Sequence, residues 1–390
     1  MGEASVCRVY CGFSQEIPVP AIDIHWILDD ATLAACCREW RTRPFVALDT
    51  EFMRVDTFYP IAALVQVGDG EKVWLIDPLR IQDWAPFAAL LEDAAVVKVL
   101  HSCSEDLEVF RRLTGSLPQP LFDSQLAAGY LNIGFSMGYS RLVKEMLGIE
   151  LPKDETRSDW LVRPLSEMQV RYAAEDVQHL CEVYRELDGR LSAEKRAWLL
   201  EDGAELVAAQ GVEVDPQEAW REVKLAWRLN PQQLSVLRAL CAWREEQARG
   251  RNLPRNRILR ERSLWPLART RPRDVGSLAG IEDMHPRTVR QDGETILRLI
   301  AEAAALPPEQ WPSQPAEPLP LEVSPLLKTL RAVGQREAER LQIVPELMLR
   351  KKVLEALLKT GYPTGPYTLP DSLRGWRRAL MGQALLDTLA

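Results

Sequence analysis

Apolar and polar positions follow two different periods along the first 190 residues, and together they predict a mixed α/β sheet. Five short apolar runs rich in β-branched residues predict strands. Around them, apolar residues recur at helical spacing, which predicts helices on the faces of the sheet. The predicted strands are Phe45–Arg54, Ala62–Gly68, Lys72–Asp77, Ala95–His101 and Pro120–Phe122, and the predicted helices span 83–92, 105–113, 123–131, 139–147 and 166–188.

Strand patterns end near residue 192, and the rest of the chain is predicted to be helical. Residues 216–301 and 321–390 are expected to form two all-α units, of which the second is a divergent counterpart of the first. Residues 302–320 lie between them and contain six prolines, which predicts a linker. Residues 1–22 are expected to be an N-terminal extension.

Composition excludes several classes of protein. The 390 residues are 46% hydrophobic and 27% charged, which is typical of a soluble globular protein. No apolar run reaches the ~18 residues needed to span a membrane, and the N-terminus lacks the pattern of a secretory signal. The seven cysteines are scattered without a Cys-x-x-Cys pair, so we expect reduced thiols in the cytoplasm and neither a disulfide framework nor a zinc site.

Charge is divided unevenly along the chain. Residues 220–300 carry 17 Lys and Arg against 9 Asp and Glu, and residues 320–390 carry 11 against 7. Because the whole chain has a net charge of −8, the first 219 residues are strongly acidic. The basic half predicts attraction for a polyanion, while a helical domain with a solvated Arg-rich face is the alternative.

The acidic half contains a pattern of carboxylates that predicts a metal site. Asp49 and Glu51 are two residues apart on a predicted strand, so their side chains point to the same face. Asp106 follows another predicted strand, and Asp176 lies one helical turn after Tyr172 on an otherwise apolar face. Buried carboxylates need a counter-charge, and hard divalent cations prefer oxygen ligands.

Four short motifs, in this order, resemble those of the ribonuclease D exonucleases. These belong to the DEDD group, in the subgroup whose last motif is Tyr-x-x-x-Asp. The segment at 153–166 (KDETRSDWLVRPLS) is similar to the one that precedes the last motif in the family. The resemblance covers about residues 23–205, and residues 237–259 resemble the HRDC domain. The four motifs are DTEF (49–52), HSCSEDLEVF (101–110), FDSQLAAGYL (122–131) and YAAEDV (172–177).

The resemblance implies a ribonuclease-H-like domain over 23–205, with a five-stranded mixed sheet flanked by helices, followed by two all-α HRDC-like domains. Carried over to this sequence, the metal ligands are Asp49, Glu51, Asp106 and Asp176, and Tyr172 holds the attacking water. Two Mg²⁺ or Mn²⁺ ions, about 3.5–4 Å apart, would supply the chemistry of phosphodiester hydrolysis.

The implied activity is that of a 3′→5′ exoribonuclease that trims the 3′ ends of structured RNA, such as tRNA precursors, and releases nucleoside 5′-monophosphates. Glu51 is expected to contact the terminal 3′-hydroxyl as well. The helical units are expected to hold the body of the RNA, with Arg249, Arg251, Arg255 and Arg257 on its phosphates. Neither a membrane nor an obligate protein partner is expected.

Several residues near the motifs have two interpretations. Arg157, Trp160 and Arg163 are candidates for RNA contacts, and the alternative is an interface between the last helix and the rest of the domain. Phe52 is expected either to stack near the terminal base or to pack in the core.

Four polar residues within the motifs are expected to have structural roles. His101 is predicted to support the site and not to take part in the chemistry. Asp123 is predicted to be a helix cap or a buried hydrogen-bond acceptor. Glu105 and Glu175 are expected at the surface.

Two other functions remain open from the sequence. A proofreading-type DNA exonuclease would use the same carboxylates, although no polymerase-length segment follows residue 205. A non-catalytic nucleic-acid-binding module is the second alternative, and the presence of all four carboxylates and the tyrosine makes it the weaker one.

Overall fold

The computed structural model describes residues 22–151 and 158–390, and within them six strands form one mixed sheet in the order β1-β4-β3-β2-β5-β6. Arg157 and nearly all of the predicted N-terminal extension lie outside the described residues. The strands are β1 (Ile24–Ile27), β2 (Phe45–Met53), β3 (Ile61–Gly68), β4 (Val73–Ile76), β5 (Val97–Leu100) and β6 (Leu121–Asp123).

The central strand of the sheet is β2. It pairs antiparallel with β3 and parallel with β5, so both of its edges are hydrogen-bonded. The predicted mixed sheet is confirmed, with one strand more than the five expected. The additional strand, β1, pairs in parallel with β4 at the edge of the sheet. Its four residues, IHWI, are too few and too mixed in polarity for alternation to predict a strand.

Helices cover both faces of the sheet and create two cores. On one face, α6 packs against Phe45 and Ala47 of β2, whereas α3 packs on the other face against Val46 and Leu48. Alternate residues of β2 therefore enter different cores, as the period of a strand requires. The helices are α1 (Asp30–Trp40), α2 (Ala85–Leu91), α3 (Ser104–Thr114), α4 (Ser124–Tyr130), α5 (Tyr139–Leu147), α6 (Glu167–Arg190) and α7 (Ala193–Gly211).

The first helical unit follows α7 and has a core of its own. Its long helix α8 begins with a capping box, in which Asn230 and Gln233 each accept from the other's backbone amide. The core also receives Phe58, from the loop between β2 and β3. The unit comprises α8 (Pro231–Gly250), α9 (Arg255–Ile258), α10 (Glu261–Thr270), α11 (Val275–Ala279) and α12 (Pro286–Ala304).

The second helical unit shares its core with the α/β domain. Leu330, Leu354 and Leu385 of this unit belong to the same continuous buried cluster as Ala127 and Tyr130 of α4. None of the described helices is both long and apolar enough to cross a membrane. The unit comprises α13 (Ser324–Leu341), α14 (Pro345–Met348), α15 (Lys351–Lys359) and α16 (Gly375–Leu389).

A buried carboxylate on α7 lies at the centre of this shared core. Asp202 accepts hydrogen bonds from the Tyr130 hydroxyl at 2.7 Å and from both terminal nitrogens of Arg377 at 2.5 and 2.7 Å. The ring of Trp376 stacks on Trp198, with centroids 4.7 Å apart. The second unit is therefore joined to the α/β domain by apolar packing and by a buried ion pair.

Removing the charge of Asp202 should destabilise the whole protein. Asp202→Asn leaves the Arg377 guanidinium largely buried without its counter-ion, which typically costs about 3–5 kcal/mol. We expect the melting temperature to fall by about 5 °C or more. Asp387→Asn on α16, an exposed position, is the matched control. Equal melting temperatures for the two variants would contradict this account of the interface.

Candidate active site

Three of the predicted carboxylates converge between β2 and α6. One oxygen each from Asp49, Glu51 and Asp176 lies within 4.8 Å of the other two. Asp49 and Glu51 share a face of β2 because they are two residues apart, as predicted. Asp176 reaches the same place from α6, which packs over that face.

Asp106 approaches β2 from the other side. It lies on α3, and its Oδ1 accepts a hydrogen bond of 2.5 Å from the hydroxyl of Thr50, which stands between the two carboxylates of β2. Asp106 is not part of the three-oxygen cluster, but its charge raises the pKa of both Asp49 and Glu51. Three carboxylates therefore cluster on one side of β2, and Thr50 links the strand to the fourth, Asp106.

Burial raises the pKa values of all four carboxyl groups, and repulsion within the site adds to this effect for Asp49 and Glu51. Burial, and then the charges of Asp106 and Asp176, raise the pKa of Asp49 well above its usual value. Burial, and then the charges of Asp176 and Asp106, raise the pKa of Glu51 to about 9. Burial raises the pKa of Asp106 and that of Asp176 to about 7. Near neutral pH, these groups therefore retain protons unless a cation offsets the repulsion.

Tyr172 lies one turn before Asp176 and faces the same site. Its hydroxyl interacts electrostatically with the Asp176 carboxylate. Burial, and then the charge of Asp176, raise the pKa of Tyr172 well above its ordinary value of 10. The buried ring of Trp160 packs against the phenol, with centroids 6.1 Å apart. The hydroxyl is thus a neutral group with a fixed position.

Tyr139, at the start of α5, supports the site and had no signal in the sequence. Its hydroxyl donates to the backbone carbonyl of Asp176, and its ring packs against His101 at 5.2 Å. His101 in turn donates from Nε2 to the Met137 carbonyl at 3.1 Å and faces the Ser124 hydroxyl at 2.9 Å. These contacts agree with the structural role predicted for His101. A tyrosine at the first position of a helix gives no local indication of such a long-range contact.

Among the secondary candidates, Asp123 is the N-cap of α4 and accepts from the amides of Gln125 and Leu126. Glu105 is exposed as predicted. The expectation for Glu175 was wrong, because this side chain is buried and accepts from Arg171 at 2.6 Å, one helical turn earlier.

Arg163 and Trp160 lie inside the α/β domain, as in the alternative interpretation in which they form an interface and do not contact RNA. The guanidinium of Arg163 makes two bonds to Asp77, at 2.9 and 2.8 Å, and donates to the carbonyls of Trp160 and Ala63. The indole of Trp160 is 1% exposed. Phe52 is half-buried. These contacts favour a structural role for Arg163 and Trp160, and RNA contact by either stays a prediction.

The four arginines predicted to bind phosphates are engaged in ion pairs. Three of them contact acids within the first helical unit, and the fourth, Arg257, pairs with Asp56 of the α/β domain. Arg255 also lies over the ring of Phe58. The unit's pairs are Arg249 with Glu245, Arg251 with Asp292 and Arg255 with Glu245.

Comparison with known proteins identifies the family. A 3′-5′ exonuclease family matches residues 24–192, and the HRDC domain family matches residues 233–300. Ribonuclease D of Pseudomonas paraeruginosa is 73% identical over 371 residues, which are 95% of this chain and 99% of that protein. This chain belongs to the ribonuclease D family. It is accordingly a 3′→5′ exoribonuclease, and RNA is its substrate.

More distant members of the ribonuclease D family agree with this assignment. Ribonuclease D of Escherichia coli K12 is 38% identical over 379 residues, covering 93% of this chain and 97% of that protein. The crystal structure of E. coli RNase D, described as an exoribonuclease involved in structured RNA processing, superposes with a TM-score of 0.87 at 36% identity. That match covers 94% of this chain and 99% of the other, so the HRDC region is included.

The acidic cluster fits the divalent metal on which this exonuclease family depends. Mg²⁺ binds oxygen at about 2.0–2.1 Å, so two ligand oxygens on opposite sides of one ion are about 4.2 Å apart. The oxygens of Asp49, Glu51 and Asp176 lie within 4.8 Å of one another, so side-chain movements alone can bring them to one ion. All three are hard oxygen donors, which such a cation prefers.

The raised pKa values predict a metal effect on stability that depends on pH. Because the folded-state pKa of Asp176 is about 7, above its unfolded value, ionising it costs stability, and this cost grows as the pH rises from about 4 through 7. In EDTA at pH 8.5, Asp176→Asn should therefore melt about 2 °C or more above the unsubstituted protein. At pH 5.5 the difference should shrink.

Adding Mg²⁺ at pH 8.5 should raise the melting temperature of the unsubstituted protein and have little effect on Asp176→Asn. Glu186→Gln, exposed on the same helix, is the control and should respond to Mg²⁺ as the unsubstituted protein does. If Asp176→Asn melted below the unsubstituted protein in EDTA at pH 8.5, the predicted cost of ionising Asp176 would be contradicted.

Proposed function

We propose that this protein trims the 3′ ends of structured RNA, such as tRNA precursors, and releases nucleoside 5′-monophosphates with the help of two Mg²⁺ or Mn²⁺ ions. The observation that carries the proposal is the convergence of Asp49, Glu51 and Asp176 beside Tyr172. A structured substrate is supported by the close structural likeness to E. coli RNase D, which acts in structured RNA processing.

The proposed metal ligands are Asp49, Glu51, Asp106 and Asp176. Divalent ions held there would lower the pKa of the attacking water and offset the charge on the leaving 3′-oxygen. The place of Asp106 outside the cluster of the other three carboxylates is a reason to propose two ions and not one. Glu51, the second of the two carboxylates on β2, is also proposed to contact the terminal 3′-hydroxyl of the RNA.

Tyr172 is proposed to orient the attacking water. Its raised pKa keeps the phenol protonated at neutral pH, so it is unsuited to act as a general base. A neutral hydroxyl that is packed by Trp160 and lies close to Asp176 can instead hold a water molecule in one orientation.

The basic helical units are proposed to hold the body of the RNA while its 3′ end enters the nuclease site. Residues 220–300 carry 17 basic against 9 acidic residues, which supports long-range attraction for a polyanion. Because ion pairs occupy Arg249, Arg251, Arg255 and Arg257, direct phosphate contact by these four residues would require exchange of their partners.

A time course on a 3′-extended tRNA tests the proposed substrate and direction. With Mg²⁺, the extension should shorten from the 3′ end one nucleotide at a time and release nucleoside 5′-monophosphates, and EDTA should stop the reaction. A DNA strand with the same 3′ sequence should be degraded far more slowly. Equal rates on DNA, or cleavage within the extension, would contradict the proposal.

Tyr172→Phe separates water orientation from metal binding. Loss of the hydroxyl should lower kcat roughly 10–100-fold, while the Mg²⁺-induced rise in melting temperature stays within about 1 °C of that of the unsubstituted protein. Asp176→Asn should abolish nearly all turnover together with that rise. If Tyr172→Phe also lost the Mg²⁺-induced stabilisation, Tyr172 would belong to the metal site and not to the water.

A further inference from the structure

The loop between β2 and β3, residues 54–60, connects the catalytic strand to the first helical unit. β2 carries Asp49 and Glu51, and its pairing with β3 shifts register between Glu51 and Phe52. Beyond Met53 the chain runs to Phe58, which is 8% exposed and lies in the core of the first helical unit. The loop is thus in contact with both parts of the molecule.

Asn252, at the end of α8, binds the backbone of this loop. Its Oδ1 accepts from the amides of Phe58 and Tyr59, both at 3.1 Å, although 194 and 193 residues separate them in sequence. Asn252 itself has φ 50°, in the left-handed region that Asn, Asp and Gly adopt most readily. One side-chain oxygen therefore fixes two consecutive peptide groups of the loop.

Two arginines of the same segment reinforce this contact. The guanidinium of Arg255 lies 4.7 Å from the centroid of the Phe58 ring and is held in place by Glu245, which is 1% exposed. Arg257 pairs with Asp56 in the middle of the loop. The basic segment therefore binds a part of its own chain.

The opposite side of the loop is bound to α3. Arg54 donates to both carboxylate oxygens of Glu108, at 2.7 and 3.1 Å, and to the Phe58 carbonyl at 2.7 Å. The guanidinium of Arg112 lies 4.1 Å from the centroid of the Tyr59 ring. Glu108 and Arg112 are on the helix that carries Asp106. The loop thus joins β2 and α3, two of the three elements that supply carboxylates to the site.

We propose that Asn252 is a positioning residue of the nuclease reaction, which acts by fixing the β2–β3 loop and, through it, the spacing between the β2 carboxylates and Asp106. The first helical unit would then contribute to the chemical step as well as to RNA binding. The end of β2 is the place where such support matters, because the register shift after Glu51 interrupts its regular pairing with β3. A displacement of about 1 Å in an active site can lower a rate by about 10²-fold.

Substitutions at position 252 of the full-length chain test this role. Asn252→Gly keeps the left-handed backbone available but removes the acceptor, whereas Asn252→Asp keeps both. On a short single-stranded RNA with saturating Mg²⁺, we expect Asn252→Gly to lower kcat about tenfold with KM within about twofold. Asn252→Asp should stay within about twofold of the unsubstituted protein in both constants.

Thr288→Val is the matched control for a general loosening of the first helical unit. It removes a buried hydrogen bond of 3.1 Å to the Ile258 carbonyl without touching the loop, so it should lower the melting temperature but leave kcat unchanged. An unchanged kcat for Asn252→Gly would overturn the proposal, and so would an equal loss of kcat in Thr288→Val. A rise in KM alone would show that Asn252 contacts RNA. Failure of the exonuclease assignment itself would appear separately, as no turnover by the unsubstituted protein.

Discussion

Repulsion among closely spaced carboxylates is the constraint on which the rest of this structure depends. Three acidic oxygens lie within 4.8 Å of one another, and a fourth acid stands across the strand. In isolation this arrangement opposes folding, since each carboxyl group is harder to ionise than in water. The fold therefore needs rigid supports that keep these groups together. A divalent cation that binds them relieves the repulsion, so the destabilisation of the metal-free protein favours cation binding.

Those supports come from distant parts of the chain. The position of β2 between two other strands fixes Asp49 and Glu51, while Tyr139 holds the backbone of Asp176 and Trp160 packs against the neighbouring phenol. Thr50 does the same for the acid on α3. The side-chain supports named here use a hydroxyl or an aromatic ring and no further charge, which avoids adding to the repulsion.

The sequence was most informative where a local period determines geometry. Alternation along β2 predicted that Asp49 and Glu51 share a face, and the i, i+4 spacing predicted the same for Tyr172 and Asp176. It was least informative about partners, because periodicity indicates which face a side chain occupies but not what lies opposite. The pairing of Arg257 with Asp56, 201 residues away in sequence, is such a case, as is that of Arg377 with Asp202, 175 residues away. Glu175 was wrongly expected at the surface for a different reason: its partner, Arg171, is local, and this ion pair stabilises the buried carboxylate.

The shared core of the second helical unit determines where this chain can be divided. Composition marks the proline-rich stretch before residue 321 as a natural end for a shortened protein, yet a chain ending there would expose Trp198 and the apolar side of α4 to water. It would also leave Asp202 with the hydroxyl of Tyr130 and without Arg377. Loss of activity in such a fragment would therefore report an opened core and a tendency to aggregate. The last seventy residues thus supply part of the hydrophobic core of the catalytic domain, although more than a hundred residues separate the two in sequence.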